Sequence, residues 1–252
     1  MLRLKTFIVL ALLPAAMPPV GSREEVLGRL RALRDATDYT ASGRLVRVSP
    51  SGDRTNYQIA FRAHAFPAGL RIFCEVTGPP SARVRMLLLI PPHGLPSIRT
   101  GHAGDSAPKE LPPEKWGEAV LATDFTYEDL LDDYTLWQHQ EVLREEPYGQ
   151  RMCIVLRSRP GPGDRSHYAS VTSWLARDID YPVKSEKVVK SSGEVKEFIY
   201  YGLREVRGVW SASQIECEIA GKPGSSLLII NRGAEKPHLD RSAFDPALLT
   251  KP

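Results

Sequence analysis

The chain has 252 residues, with 33 basic and 30 acidic side chains and a formal net charge of +3. Removal of residues 1–22 would take away Arg3 and Lys5 and leave +1. So even a balance gives no general basic face, and it argues against a nucleic-acid partner. The cluster Arg29, Arg31 and Arg34 reads as the solvated side of a helix.

The N-terminus predicts export. Arg3 and Lys5 precede an apolar run from Phe7 to Leu13, and Val20 and Ser22 suit a cleavage site before Arg23. This is the pattern of a secretory signal peptide over residues 1–22, with a single domain over 23–252. The apolar run falls short of the ~20 residues of a membrane span, and no cysteine follows it for lipid attachment. The remaining 230 residues suit one large all-β domain.

Arg23 to Thr37 has helical periodicity. Val26, Leu27, Leu30 and Leu33 share a stripe, Ser22 is placed to cap, and Glu24 and Glu25 suit the first turn. Strands follow at Tyr39–Val48, Arg54–Ala65, Leu70–Thr77 and Ala82–Ile90. In the second, Tyr57, Ile59, Phe61 and Ala63 share one face. In the fourth, Val84, Met86, Leu88 and Ile90 oppose Arg83 and Arg85. A proline- and glycine-rich loop over 91–113 holds a short strand near Ile98. Trp116 to Asp133 is expected to become helical toward its end. Strands at Leu136–Glu145 and Gln150–Arg159 then lead to the stretch from Trp174 to Trp210. That stretch is a meander, broken at Asp178–Pro182 and turning at Ser191-Ser192-Gly193. A last hairpin joins Gln214–Ala220 to Ser226–Asn231, and the tail from His238 to Leu249 is coil with a short turn.

The expected class is mainly β: a strongly curved antiparallel sheet, or incomplete β-barrel, of about ten to eleven strands. Two or three helices cover its apolar concave face. A flat sheet this long would twist and curl, and the helices are too few to cover it otherwise.

Chemistry-bearing patterns are sparse. The histidines at 64, 93, 102, 139, 167 and 238 form no H-E-x-x-H, H-x-H or i, i+4 pair. No P-loop or Gly-x-Ser-x-Gly occurs. Neither a metal nor an organic cofactor is implied. Cys74 and Cys217 alternate with apolar neighbours and should point inward as small hydrophobes. If a disulfide forms at all, Cys153–Cys217 is the pairing to test. The acidic run Asp124–Asp133 lacks the EF-hand pattern. It reads as a helix start, with Asp124 or Thr126 capping, Glu128 and Asp129 in the first turn, and Tyr127, Leu130 and Leu131 packed inward.

Three segments together resemble the outer-membrane lipoprotein-sorting proteins of the LolA-like group. They are Thr123-Asp124-Phe125-Thr126-Tyr127-Glu128-Asp129-Leu130; Trp174 through Pro182-Val183-Lys184, Gly193 and Gly208-Val209-Trp210; and the tail Leu239-Asp240 to Phe244-Asp245-Pro246-Ala247-Leu248. Their order and spacing agree over about half of the chain. The resemblance implies a periplasmic, non-enzymatic lipid-binding domain whose helices lid an apolar cavity for lipid or lipoprotein acyl chains. The cavity lining would come from Tyr57, Ile59, Phe61, Val84, Met86, Leu88 and Ile90. The arginine that holds the lid shut in the carriers proper would be Arg44, Arg47 or Arg62. Two other functions stand beside the carrier. One is a lipid-sensing module acting through an envelope membrane-protein partner. The other is a hydrolase using Asp124–Asp133 or His139.

Overall fold

The computed structural model describes residues 22–78, 83–206, 209–231 and 239–251. The expected signal peptide at 1–22 lies, but for Ser22, outside them. The one α-helix among the described residues, α1, runs Arg23–Asp35. Ser22 Oγ accepts from Glu25 N–H, and Glu25 returns a bond to the Ser22 backbone, a complete capping box.

Strands carry the rest. They are β1 (Asp38–Val48), β2 (Arg54–Phe66), β3 (Gly69–Thr77), β4 (Arg83–Ile90), β5 (Ser97–Gly101) and β6 (Lys109–Glu110). After a long irregular segment come β7 (His139–Tyr148), β8 (Arg151–Arg159), β9 (Tyr168–Ala176), β10 (Tyr181–Val189) and β11 (Val195–Tyr201). The chain ends with β12 (Arg204–Val206), β13 (Val209–Ser211), β14 (Gln214–Ile219) and β15 (Ser225–Ile230). Thirteen of these form one antiparallel sheet in the order β6-β5-β4-β3-β2-β1-β15-β14-β11-β10-β9-β8-β7. β12 and β13 form a separate hairpin. The sheet is open, with β6 and β7 as its edges. Edge β7 carries Pro147 and a register shift between Val142 and Arg144, both of which blunt pairing with another chain.

The sheet is strongly curved. A short chain of contacts joins β5 to β11: Leu111 N–H donates to the Ile98 carbonyl, the Trp116 indole to the Leu111 carbonyl, Glu128 N–H to the Trp116 carbonyl, and Asp129 meets Lys196, yet seven inter-strand steps separate the two strands. Flat, that distance would be about 33 Å at the usual strand spacing. Register fixes which residues share the inner face. Along one row stand Leu156, Ser173, Ser185, Phe198, Cys217, Ser226 and Arg47. Along the next stand Tyr57, Leu45, Leu228 and Ile215.

Among the described residues the strands exceed the expected ten or eleven, and the helices fall short of two or three. β6, β12 and β13 are two or three residues long, too short for alternation to reveal. The expected helix toward Asp133 is instead a single 3-10 turn, Glu128–Leu130, with another at Tyr134–Leu136. Leu121 and Asp132 take positive φ, which no α-helix accommodates. α1 covers part of the inner face, seating Val26 and Leu27 on Ile154, Leu156 and Leu175. The irregular segment 111–137 covers much of the remainder. So a coil, rather than a second helix, does most of the covering.

The outer face carries two smaller clusters. The tail turns Arg241–Phe244 and Pro246–Leu249 bury Phe244 and Leu249 against Phe73 and Leu87. Arg85 was expected on the solvent side. It is buried beneath this tail, where its Nε donates to Glu75 Oε1 at 2.9 Å and its Nη1 to the Lys251 carbonyl. Trp174, Val155 and Val183 pack with Trp210 in the second cluster.

All three cysteines are free and buried. Cys153 and Cys217 cannot pair because they sit on opposite faces of the sheet. Cys217 lies in the inner cluster and Cys153 in the outer one. Among the described residues no helix is long and apolar enough to cross a membrane.

Candidate functional site

The apolar face predicted from β2 and β4 exists as one surface. Tyr57, Ile59, Met86, Leu88 and Ile90 are buried in the main inner cluster, and Phe61 and Val84 are partly buried against it. The covering comes from Trp116, Val120, Phe125 and Leu131 of the segment 111–137. Trp116 donates its indole N–H to the Leu111 carbonyl at 3.0 Å, so the segment closes on itself. It contains no regular element longer than three residues.

Polar anchors hold this segment to the sheet. Asp129, 1% exposed, stands between two ammonium groups: Lys196 Nζ at 2.6 Å and Lys187 Nζ at 3.1 Å. Tyr168 O–H donates at 2.6 Å to Oδ1, the oxygen that Lys187 meets, and Thr126 N–H at 2.8 Å to Oδ2, the oxygen that Lys196 meets. Lys187 and Lys196 are direct cross-strand neighbours. Two like charges in that position repel, and a carboxylate between them resolves the repulsion. Burial alone would raise the Asp129 pKa. Lys187 and Lys196 outweigh it and hold the carboxyl well below the usual range. Burial pulls the Lys187 ammonium down, and Asp129 more than restores it. The group is thus a locked ion triad at neutral pH.

A second anchor joins Asp124 to β1 and β15. Arg47 Nη1 donates to Asp124 Oδ2 at 2.9 Å, and Ser226 Oγ donates to the same oxygen at 2.7 Å. A third uses Glu128, which accepts from Ser166 Oγ and from His167 N–H, with His167 Nδ1 at 2.5 Å. Near these anchors Asp133 is buried. Burial and the neighbouring Glu128 charge push its carboxyl up to about 7.

Of the three candidate lid arginines, Arg47 reaches the covering segment. Arg62 faces outward and donates to the Ala243 carbonyl of the tail at 2.5 Å. Arg44 is exposed. The helix-start reading of Asp124–Asp133 needs correcting. Thr126 and Asp129 do bond reciprocally as a cap would, but Glu128 and Asp129 are buried anchors rather than dipole partners. The hydrolase candidates fare similarly: Asp124, Glu128 and Asp129 are each engaged in these anchors. His139 is exposed at the start of β7.

Sequence reasoning missed Lys187, Lys196 and Tyr168 as partners of Asp129. A signal was present. The turn at Ser191-Ser192-Gly193 fixes the β10–β11 register, and that register sets Lys187 opposite Lys196. Two facing lysines on an inner face require an acid.

Residues 106–251 match the model of a family described as "Uncharacterized protein". The chain belongs to that family. Comparison with curated proteins by sequence gave no match. Solved structures define the fold more sharply. A domain from Vibrio parahaemolyticus assigned to outer-membrane lipoprotein sorting superposes with a TM-score of 0.78 at 15% identity, over 90% of this chain and 99% of that one. A DUF1329 family protein from Desulfovibrio piger gives 0.79 at 15% identity, over 90% and 98%. A LolA superfamily protein from Nitrosomonas europaea gives 0.69 at 18% identity, over 91% and 100%. The fold is therefore that of the LolA-like lipoprotein-sorting domains.

Proposed function

We propose that this protein is a non-enzymatic carrier that shelters lipid acyl chains in the periplasm, exported by a signal peptide at residues 1–22 and acting as one domain over 23–252. The observation that carries this reading is the nature of the cover over the inner face. Trp116, Val120, Phe125 and Leu131 lie on Ile59, Met86, Leu88 and their neighbours, but the backbone that presents them is irregular. Beyond Leu111, whose N–H donates to the Ile98 carbonyl of β5, its fixings to the sheet are polar anchors at Asp124, Glu128 and Asp129. An acyl chain can replace such side chains on an apolar wall with little net change in burial. Each CH₂ sheltered from water contributes about 0.8 kcal/mol, so a long chain gains enough to offset a broken anchor. Arg47–Asp124, the more exposed ionic contact, is the proposed latch, and the Asp129 triad the proposed hinge.

The LolA-like fold, and the lipoprotein-sorting assignment of the Vibrio parahaemolyticus domain, support the same class of cargo. Native mass spectrometry of the mature protein purified from a bacterial envelope tests the proposal. Co-purifying lipid or lipoprotein, released on denaturation, is the expected result. Protein that arrives empty and refuses added acyl lipids would overturn it.

A further inference from the structure

The near-neutral charge of the whole chain hides a division across the outer face of the sheet. On β2 the outward residues Arg54, Asn56, Gln58 and Ala60 are all exposed. Register extends this platform sideways. Arg44 of β1 stands opposite Gln58, Gln58 opposite Thr77 of β3, and Thr77 opposite Arg83 of β4. Arg44 and Arg83 are exposed as well. Three strand steps put them about 14 Å apart, and four residues of β2 put Arg54 about 13 Å from Gln58. These spacings are close to the screening length of about 10 Å at about 0.1 M salt, so the arginines act together on a surface that faces them.

The nearby acids are already engaged. Glu75 Oε1 takes Arg83 Nε at 3.1 Å and Arg85 Nε at 2.9 Å, and Asp53 accepts from Ser51 Oγ at 2.6 Å. Among the described residues neither Arg44 nor Arg54 has an acidic partner. Four arginines against Glu75 and Asp53 leave two net positive charges. The acidic part of the outer face lies elsewhere. Glu186, Glu197 and Glu218 face one another across β10, β11 and β14, three to five strands from β2. That is about 14–24 Å along the sheet, beyond the screening length.

The platform carries no exposed aromatic or long aliphatic side chain, the kind of anchor on which protein interfaces rely. A membrane surface rich in anionic headgroups attracts clustered basic residues without one. The platform also adjoins the proposed latch, because Arg54 stands opposite Val48, the residue after Arg47.

We propose that the outer face of β1, β2 and the start of β4 docks this protein on a membrane containing anionic lipid, with the acidic strands turned away. The docking stands on charge and goes beyond the acyl-carrier reading, which only gives it a use: it brings the end of the sheet that holds Arg47–Asp124 to the bilayer.

Co-sedimentation of the mature protein with phosphatidylcholine vesicles, with and without phosphatidylglycerol, tests it. Each basic residue near an anionic surface contributes roughly fivefold. Wild-type protein should favour the phosphatidylglycerol vesicles on the order of tenfold or more, and lose the preference near about 1 M salt, where the screening length is about 3 Å. Arg44→Gln and Arg54→Gln should each weaken binding roughly fivefold. Combined with Arg83→Gln they leave a net negative platform and should abolish the preference. Arg144→Gln removes the same charge from edge strand β7 and should change nothing. Circular dichroism confirms that each variant is folded, and the single variants carry the test should the triple one fail to fold. Equal binding to both vesicles, no binding to either, a preference that survives the triple change, or a loss in Arg144→Gln as large as in Arg44→Gln overturns the docking face. A protein that takes up a soluble acyl probe but ignores the vesicles keeps the carrier reading and loses this one. A protein that binds phosphatidylglycerol vesicles through these arginines but takes up no acyl probe does the reverse.

Discussion

Replacing Asp129 with asparagine keeps the size of the side chain and removes the charge that two buried lysines share. The carboxylate is 1% exposed, Lys187 4% and Lys196 5%. The lysines face each other across β10 and β11. In Asp129→Asn both are left buried against one another without their shared counter-charge. Breaking a buried ion pair from one side costs about 3–5 kcal/mol, and the repulsion between the lysines acts in the same direction. The variant should lose about that much unfolding free energy at pH 7, read as a lower urea midpoint at nearly unchanged slope. Removing all three charges together, as Asp129→Leu with Lys187→Met and Lys196→Met, should recover most of the loss, since apolar groups of similar volume often replace a buried triad at no cost. The pH dependence has a defined sign. The folded carboxyl is depressed, so its contribution is present above the unfolded value near ~3.9 and is lost as pH falls toward the folded value. An Asp129→Asn protein within about 0.5 kcal/mol of wild type, the range of an ordinary surface substitution, would refute the anchoring role.

Other perturbations probe separate parts of the account. Asp133 titrates at about 7 when folded, against ~3.9 unfolded, so between those values the folded chain holds the extra proton. Its contribution to stability therefore falls as pH rises across that window, by at most ~4 kcal/mol. Urea midpoints of Asp133→Asn should show that loss removed, and identical pH profiles for the two proteins would contradict it. Asp124→Asn weakens the bond to Arg47 and should cost about 1–3 kcal/mol while accelerating uptake of an acyl probe in stopped-flow fluorescence; unchanged uptake would argue against a latch. Gly43→Ala places a Cβ 1.9 Å from the Ile229 carbonyl oxygen. Thermal melting should show a loss at or above the ~1–3 kcal/mol of overpacking, because backbone has to move.

The open, curved sheet was legible because alternation on β2 and β4 exposes one apolar face, and the Ser22/Glu25 pair announces α1. Tyr57, Ile59, Met86, Leu88 and Ile90 could be assigned to that face from period alone. The covering segment was not legible. Trp116, Val120, Phe125 and Leu131 sit on no regular period, because their backbone follows anchors supplied by distant strands. Asp124–Asp133 looked like a helix start because its local chemistry, a Thr126–Asp129 cap, is real. What decided its structure was Arg47, Lys187 and Lys196, far away along the chain. Arg85 was misassigned for a similar reason: alternation puts it outside correctly, but only the fold brings the tail down on top of it.

The central claim is that an acyl chain takes the place of the segment 111–137 on the inner face. Hydrogen–deuterium exchange with and without a bound palmitoyl ligand measures this directly. The account predicts that amides within 111–137 lose protection on binding while the facing strands β2 and β4 keep or gain it. Binding that leaves the protection of 111–137 unchanged, or raises it, would contradict the account.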